Sequence, residues 1–139
     1  LSVFAQGREA SANAGNTDIL VHHGATDAPT VDVVETSVPA GTVVNDISYP
    51  SFASSYLELP TADYSLNVTD ASGATVVASY AAPLQTLGLQ GEALTVLASG
   101  FLDPSQNSGY QELLRLRFSI LKIDGNLIFR VRFPIFVTY

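Results

Sequence analysis

The chain contains no cysteine, no methionine and no tryptophan, and its only lysine is Lys122. Without cysteine there is no disulfide framework, no zinc–thiolate centre and no thiol nucleophile, and thiol usage cannot report the compartment. Charged residues make up only 14% of the sequence against 47% hydrophobic. That is too apolar for a disordered chain and too poor in Glu and Lys for long exposed helices, so strands are favoured. No uncharged apolar run reaches about 18 residues, so the sequence offers no membrane-spanning helix. Also missing are a glycine-rich phosphate cradle, a Gly-x-Ser-x-Gly nucleophile elbow and the alternating acids of an EF-hand loop, and no cofactor is expected.

Charge of one sign is scarce in one part and dominant in the other. Residues 1–112 carry twelve acids against Arg8 alone, whereas 113–139 carry Arg115, Arg117, Lys122, Arg130 and Arg132 against Asp124. The acidic body repels phosphate backbones, and the basic tail has no nucleic-acid motif, so nucleic-acid binding is not expected. At 139 residues the chain has the length of one domain that can bury a core without staples. Three parts are expected: a signal-peptide remnant and flexible leader over 1–16, a β-sandwich over 17–106, and a basic apolar tail over 107–139. The leader reading rests on Val3-Phe4-Ala5, which resembles a small-residue cleavage pattern and implies export, followed by an Ala, Ser, Asn and Gly-rich run.

What is present is a series of short β-like runs separated by turn residues. They fall at about 17–23, 30–36, 41–48, 54–59, 63–70, 75–82 and 93–101, the spacing of an immunoglobulin-like antiparallel β-sandwich of about seven strands. Tyr64, Leu66 and Val68 alternate with Ser65, Asn67 and Thr69, a half-buried strand; the Asn67-Val68-Thr69 sequon is read as part of that patterning. Asp70-Ala71-Ser72-Gly73 then predicts a hairpin into the next run. Residues 94–99 are apolar on both faces, which suits a central strand. Tyr64, just after the Pro60 corner, is expected to bond back to the chain and lock the crossing between sheets. The expected core is Val31, Val33, Val43, Leu57, Leu59, Leu66, Val68, Val77, Leu94 and Val96.

Three stretches carry a family resemblance: His22-x-x-x-x-Asp27-Ala28-Pro29-x-Val31-Asp32-Val33, Leu59-Pro60-Thr61-Ala62-Asp63-Tyr64-Ser65-Leu66-Asn67-Val68, and Leu94-Thr95-Val96-Leu97-Ala98-Ser99-Gly100. Together they resemble the bacterial domain-of-unknown-function 4397 family over about residues 17–106. The resemblance implies an immunoglobulin-like module of an exported or cell-surface protein, with no assigned activity. Thr61-Ala62-Asp63 departs from the usual Pro-Ala-Gly-type corner, and the pattern stops beyond Gln106-Asn107.

His22 and His23, with Asp27 and Asp32, supply ligand types that suit zinc, and they are the centre of a metal-assisted hydrolase alternative. Adjacent strand residues point to opposite faces, so the favoured reading is structural, with one imidazole bonded to Asp27 or Asp32 and Asp27 capping its own turn. Tyr49, Phe52 and Tyr56 cluster around Pro50, either as packing of a crossing or as a stacking patch of a carbohydrate-binding module for polysaccharide. Scattered Glu35, Asp46 and Glu58 cannot be assigned to one glycosidase cleft.

In the tail, Leu114, Leu116, Phe118 and Ile120 alternate with Arg115, Arg117 and Ser119, and Leu127, Phe129, Val131 and Phe133 alternate with Arg130 and Arg132. The pattern predicts a cationic C-terminal β-hairpin turning at Asp124-Gly125 and ended by Pro134. Its apolar face needs cover, from the sandwich or from a second copy or other surface protein met through Arg115, Arg117, Arg130 and Arg132. A shifted reading frame is the third account of the abrupt change in composition. The favoured function is a non-catalytic, secreted or cell-surface structural and adhesion module.

Overall fold

A computed structural model describes residues 3–37, 41–103 and 105, together with the backbone of 117–124 and 127–132. The chain is all β. Its strands are β1 (Asn16–His23), β2 (Val31–Glu35), β3 (Gly41–Ile47), β4 (Leu57–Pro60), β5 (Asp63–Asp70), β6 (Val76–Pro83), β7 (Ala93–Ser99), β8 (Arg117–Asp124) and β9 (Leu127–Arg132). They form two sheets, ordered β4-β1-β7-β8-β9 and β3-β2-β5-β6. The first seven strands match the runs expected from sequence, and among the described residues no helix is long and apolar enough to cross a membrane.

One pairing departs from the antiparallel expectation: β1 runs parallel to β7, from Asp18 opposite Ala93 to His23 opposite Ala98. β1 therefore lies inside its sheet, between β4 and β7, and almost every residue of it is buried. β7 is central as its two apolar faces predict, lying between β1 and β8.

The core forms where Ile19, Val21 and Leu94 of one sheet meet Val31, Val33, Val44, Tyr64 and Val68 of the other, with Leu84 closing it. Every residue expected in the core belongs to this cluster or packs against it. Burying an aliphatic side chain of this size contributes about 1.5–3 kcal/mol before chain entropy is subtracted. An apolar gap of about 60 Å³ remains between the sheets, bounded by residues including Val33, Leu59, Leu66 and Val96.

Two local devices fix β5, one at the crossing between the sheets and one in its hairpin with β6. The Tyr64 hydroxyl donates to the Pro60 carbonyl at 2.6 Å, tying the start of β5 to the end of β4 as the tyrosine corner predicts. The β5–β6 hairpin turns through Asp70-Ala71-Ser72-Gly73, with Gly73 at φ 71° and the Asp70 carboxylate accepting the Ser72 and Ala74 N–H groups.

Residues 7–16, expected to be a flexible leader, are held against the sandwich. Ser11 donates its N–H to the Gly91 carbonyl at 2.8 Å, and Ala10 pairs with Glu92. Arg8 bridges Asp18 and Glu58. Asp18 is fully buried on β1, which by itself raises a carboxyl pKa. Donors from Ser11, Ala12 and Arg8 overcome that and hold it below the usual carboxylate value.

At the other end, β8 pairs with β7 and β9 with β8, so the predicted hairpin is present. The pairing runs one residue further than an Asp124-Gly125 turn allows, with Asp124 opposite Leu127. Residues 125 and 126, Pro134, Arg115 and Phe133 lie outside the described residues.

Candidate functional site

Chemistry in this fold gathers at the end of β1 and the facing part of β3. The strand alternation of Val21, His22 and His23 buries Val21 and His23 on one face and puts His22, half-buried, on the other. The same backbone then holds a further segment: His23 donates its N–H to the Ser51 carbonyl at 2.9 Å, and the Val21 carbonyl accepts the Ala53 N–H at 2.7 Å. His22 and Phe52 form an antiparallel bridge between them. Residues 51–53 thus extend the edge begun by β4, after a turn in which Ser51 bonds back to the Ser48 carbonyl and the Tyr49–Pro50 peptide is cis.

Opposite that segment β3 carries a bulge. Val33 pairs with Val44 but Val31 pairs with Ile47, so Asn45 and Asp46 together face Asp32 alone. Asp46 takes a positive φ of 51°, a conformation that Asp tolerates better than most side chains. The buried Asp32 carboxylate accepts the Asp46 N–H at 2.7 Å, and the Asn45 amide donates to the Asp46 carboxylate at 2.7 Å. Between the bulge and residues 48–55 lies an open cleft of about 360 Å³, lined by Asn45, Asp46, Phe52 and the serines at 48, 51, 54 and 55.

The four groups read as ligand types do not converge. The His23 Nε2–H donates to the Pro29 carbonyl at 3.1 Å, correcting the expectation that an imidazole bonds Asp27 or Asp32. The His22 ring packs edge-on against Phe52 with centroids 4.3 Å apart, and burial together with the neighbouring His23 lowers its pKa, so it is neutral at pH 7. Asp27 does not cap its own turn. It accepts the N–H groups of Leu102 and Asp103, both at 2.8 Å, and clamps the segment after β7. Asp32 serves the bulge. Among the described residues no group of three or more His, Cys, Asp or Glu side chains could hold a metal ion.

The aromatic trio is divided. Tyr49 is 47% exposed at the turn. Phe52 and Tyr56 instead pack against Phe4, at 5.5 and 5.9 Å, and Arg8 lies over the Tyr56 ring while donating its N–H to the Tyr56 hydroxyl at 3.0 Å. In the hairpin, the register puts Arg117 opposite Ser99, Arg130 opposite Leu121 and Arg132 opposite Ser119. Strand alternation therefore places these three arginines on one face of the five-stranded sheet, and Phe118, Ile120, Phe129 and Val131 on the face shared with Leu94 and Ala98.

Sequence reasoning passed over Asn45 and the four serines, and met Asp46 only as one of three scattered acids assigned to no cleft. The available signal was Asn45-Asp46, two residues that disfavour strands, placed inside an otherwise β-branched run. Fold and site together define a two-sheet β-sandwich bearing a polar cleft beside a β-bulge. No protein-family model, curated protein or solved structure matches the chain.

Proposed function

We propose that this chain is a non-catalytic, exported or cell-surface β-sandwich module with a structural and adhesive role. The observation that carries the reading is how the fold uses its His–Asp stretch. His23, Asp27 and Asp32 each hold a loop or bulge through a backbone bond, and His22 is packed on Phe52, so no two of the four are set up as acid, base or metal ligand. The resemblance of residues 17–106 to exported bacterial modules supports the same reading. The hairpin supports contact with a further surface, because Arg117, Arg130 and Arg132 share one face and the remaining chain is acidic.

The test is retention of the fluorescently labelled full chain on isolated bacterial envelopes after washing. Retention is expected, and its absence overturns the adhesive role. Hydrolysis of ester, amide or glycoside substrates that requires added Zn²⁺ and disappears in His22→Ala would replace the proposal with the metal-assisted hydrolase.

A further inference from the structure

We infer that the cleft between the β3 bulge and residues 48–55 binds a neutral saccharide. The inference rests on the adhesive reading above, to which it adds the chemistry of what is held.

The cleft's volume of about 360 Å³ lies within the range of small-molecule sites, roughly 300–1,000 Å³. Its chemistry selects the ligand class by elimination. Among the described residues no Lys, Arg or His lines it, which leaves no described cation to neutralise a phosphate, sulfate or carboxylate. Asp46 is its only acid among the described residues, which does not supply the several carboxylates typical of a calcium site. Asn45, Asp46 and four serines line it, so it is not a lipid site. What remains is an array of hydroxyl, amide and carboxylate groups beside one aromatic ring, the complement of a polyol.

These groups are spare as far as the fold is concerned. None of the hydroxyls of Ser48, Ser51, Ser54 and Ser55 bonds another described residue. Each can donate one hydrogen bond and accept two. The Asn45 amide and Asp46 carboxylate, joined at 2.7 Å, form one polar unit whose free oxygen can accept from neighbouring sugar hydroxyls. Phe52 gives an apolar wall for a sugar's C–H face, and Phe4 and His22 hold its ring in place.

The cleft is also built and held open by buried groups. Asp32, 7% exposed, fixes the bulge that presents Asp46, and the β1 backbone from Val21 to His23 fixes the opposite wall. A site preorganised this way spends little ordering entropy on its ligand.

The test is binding of the full chain to a printed array of neutral and acidic oligosaccharides, followed by calorimetric titration with the best neutral ligand. Binding to one or more neutral glycans, and not to sulfated or sialylated ones, is expected. Asp46→Asn keeps the side-chain shape and tolerates the positive φ, and it should weaken binding by about tenfold or more, the loss of a hydrogen bond to a charged group. The Ser48→Ala/Ser55→Ala pair should weaken it as well, with thermal stability unchanged in both variants. The inference falls if no neutral glycan binds, or if neither substitution changes the affinity. Envelope retention that persists without glycan binding would reject the saccharide and keep the adhesive role, whereas loss of both rejects the two readings together.

Discussion

The Asp32 carboxylate accepts the backbone N–H of Asp46 at 2.7 Å, across a bulge in which two residues of β3 face one residue of β2. Asp32 belongs to the His–Asp stretch that looks like chemistry in the sequence, and Asp46 belongs to the cleft. One hydrogen bond therefore connects the motif to the site and explains why a carboxylate is buried there. Removing it in Asp32→Ala is expected to cost about 1.5–3 kcal/mol, the range for a hydrogen bond to a charged group. Asp32→Asn keeps an acceptor oxygen and should recover part of that. Urea unfolding of both variants measures the difference, and amide exchange at Asp46 should accelerate in Asp32→Ala.

Gly24 is the second constraint at this end of the sandwich. A Cβ built there would lie 2.7 Å from the Ala98 carbonyl oxygen, and the Gly24 N–H donates to that same oxygen at 2.8 Å. The atom in the way is backbone, so β1 and β7 would have to separate. Gly24→Ala should destabilise by about 1–3 kcal/mol, read as a lower thermal midpoint with unchanged β content by circular dichroism.

Tyr64 supplies both a ring to the core and a hydroxyl to the Pro60 carbonyl. Tyr64→Phe removes only the hydroxyl and should cost about 0.5–1.5 kcal/mol, while Tyr64→Ala opens a core cavity and should cost about 3–5 kcal/mol. Urea midpoints that shift without a change in slope would assign the loss to the folded state.

Asp70 gives the acid limb of stability a defined origin. Hydrogen bonds from Ser72 and Thr75 lower its pKa from 3.8 to about 2. Because the folded value lies below the unfolded one, the unfolded chain binds the proton first as pH falls. The contribution is complete above pH 3.8 and is lost between there and about pH 2. Asp70→Ala should lower stability at neutral pH and flatten the pH dependence across that window, as thermal melts at a series of acid pH values will record.

The fold was largely legible because its signals are local. Alternation at 63–69, the Asp70–Gly73 turn and the Pro60–Tyr64 corner each specify structure within a few residues. The parallel pairing of β1 with β7 was not legible, since nothing in Ile19–His23 says which of several apolar strands will lie beside it. The same limit applies to the candidate site. His22, His23, Asp27 and Asp32 stand out by residue type, but their bonds reach Phe52, Pro29, Leu102 and Asp46, and three of these four partners are backbone groups that no side-chain pattern encodes. The cleft's serines are common in polar loops and acquire meaning only once the bulge faces them.

The central place of β1 also dictates an order of assembly. Its neighbours are β4, some forty residues later, and β7, some seventy-five residues later, so the first core strand to be made gains its β4 edge only halfway through the sandwich and its β7 edge only near the end. Closing such long loops before any reward is slow, and the edge that β7 will cover stays open longest. Folding of this module is therefore a late, all-or-none event, and the interval before β7 arrives is when the chain is most exposed to aggregation and to capture by chaperones.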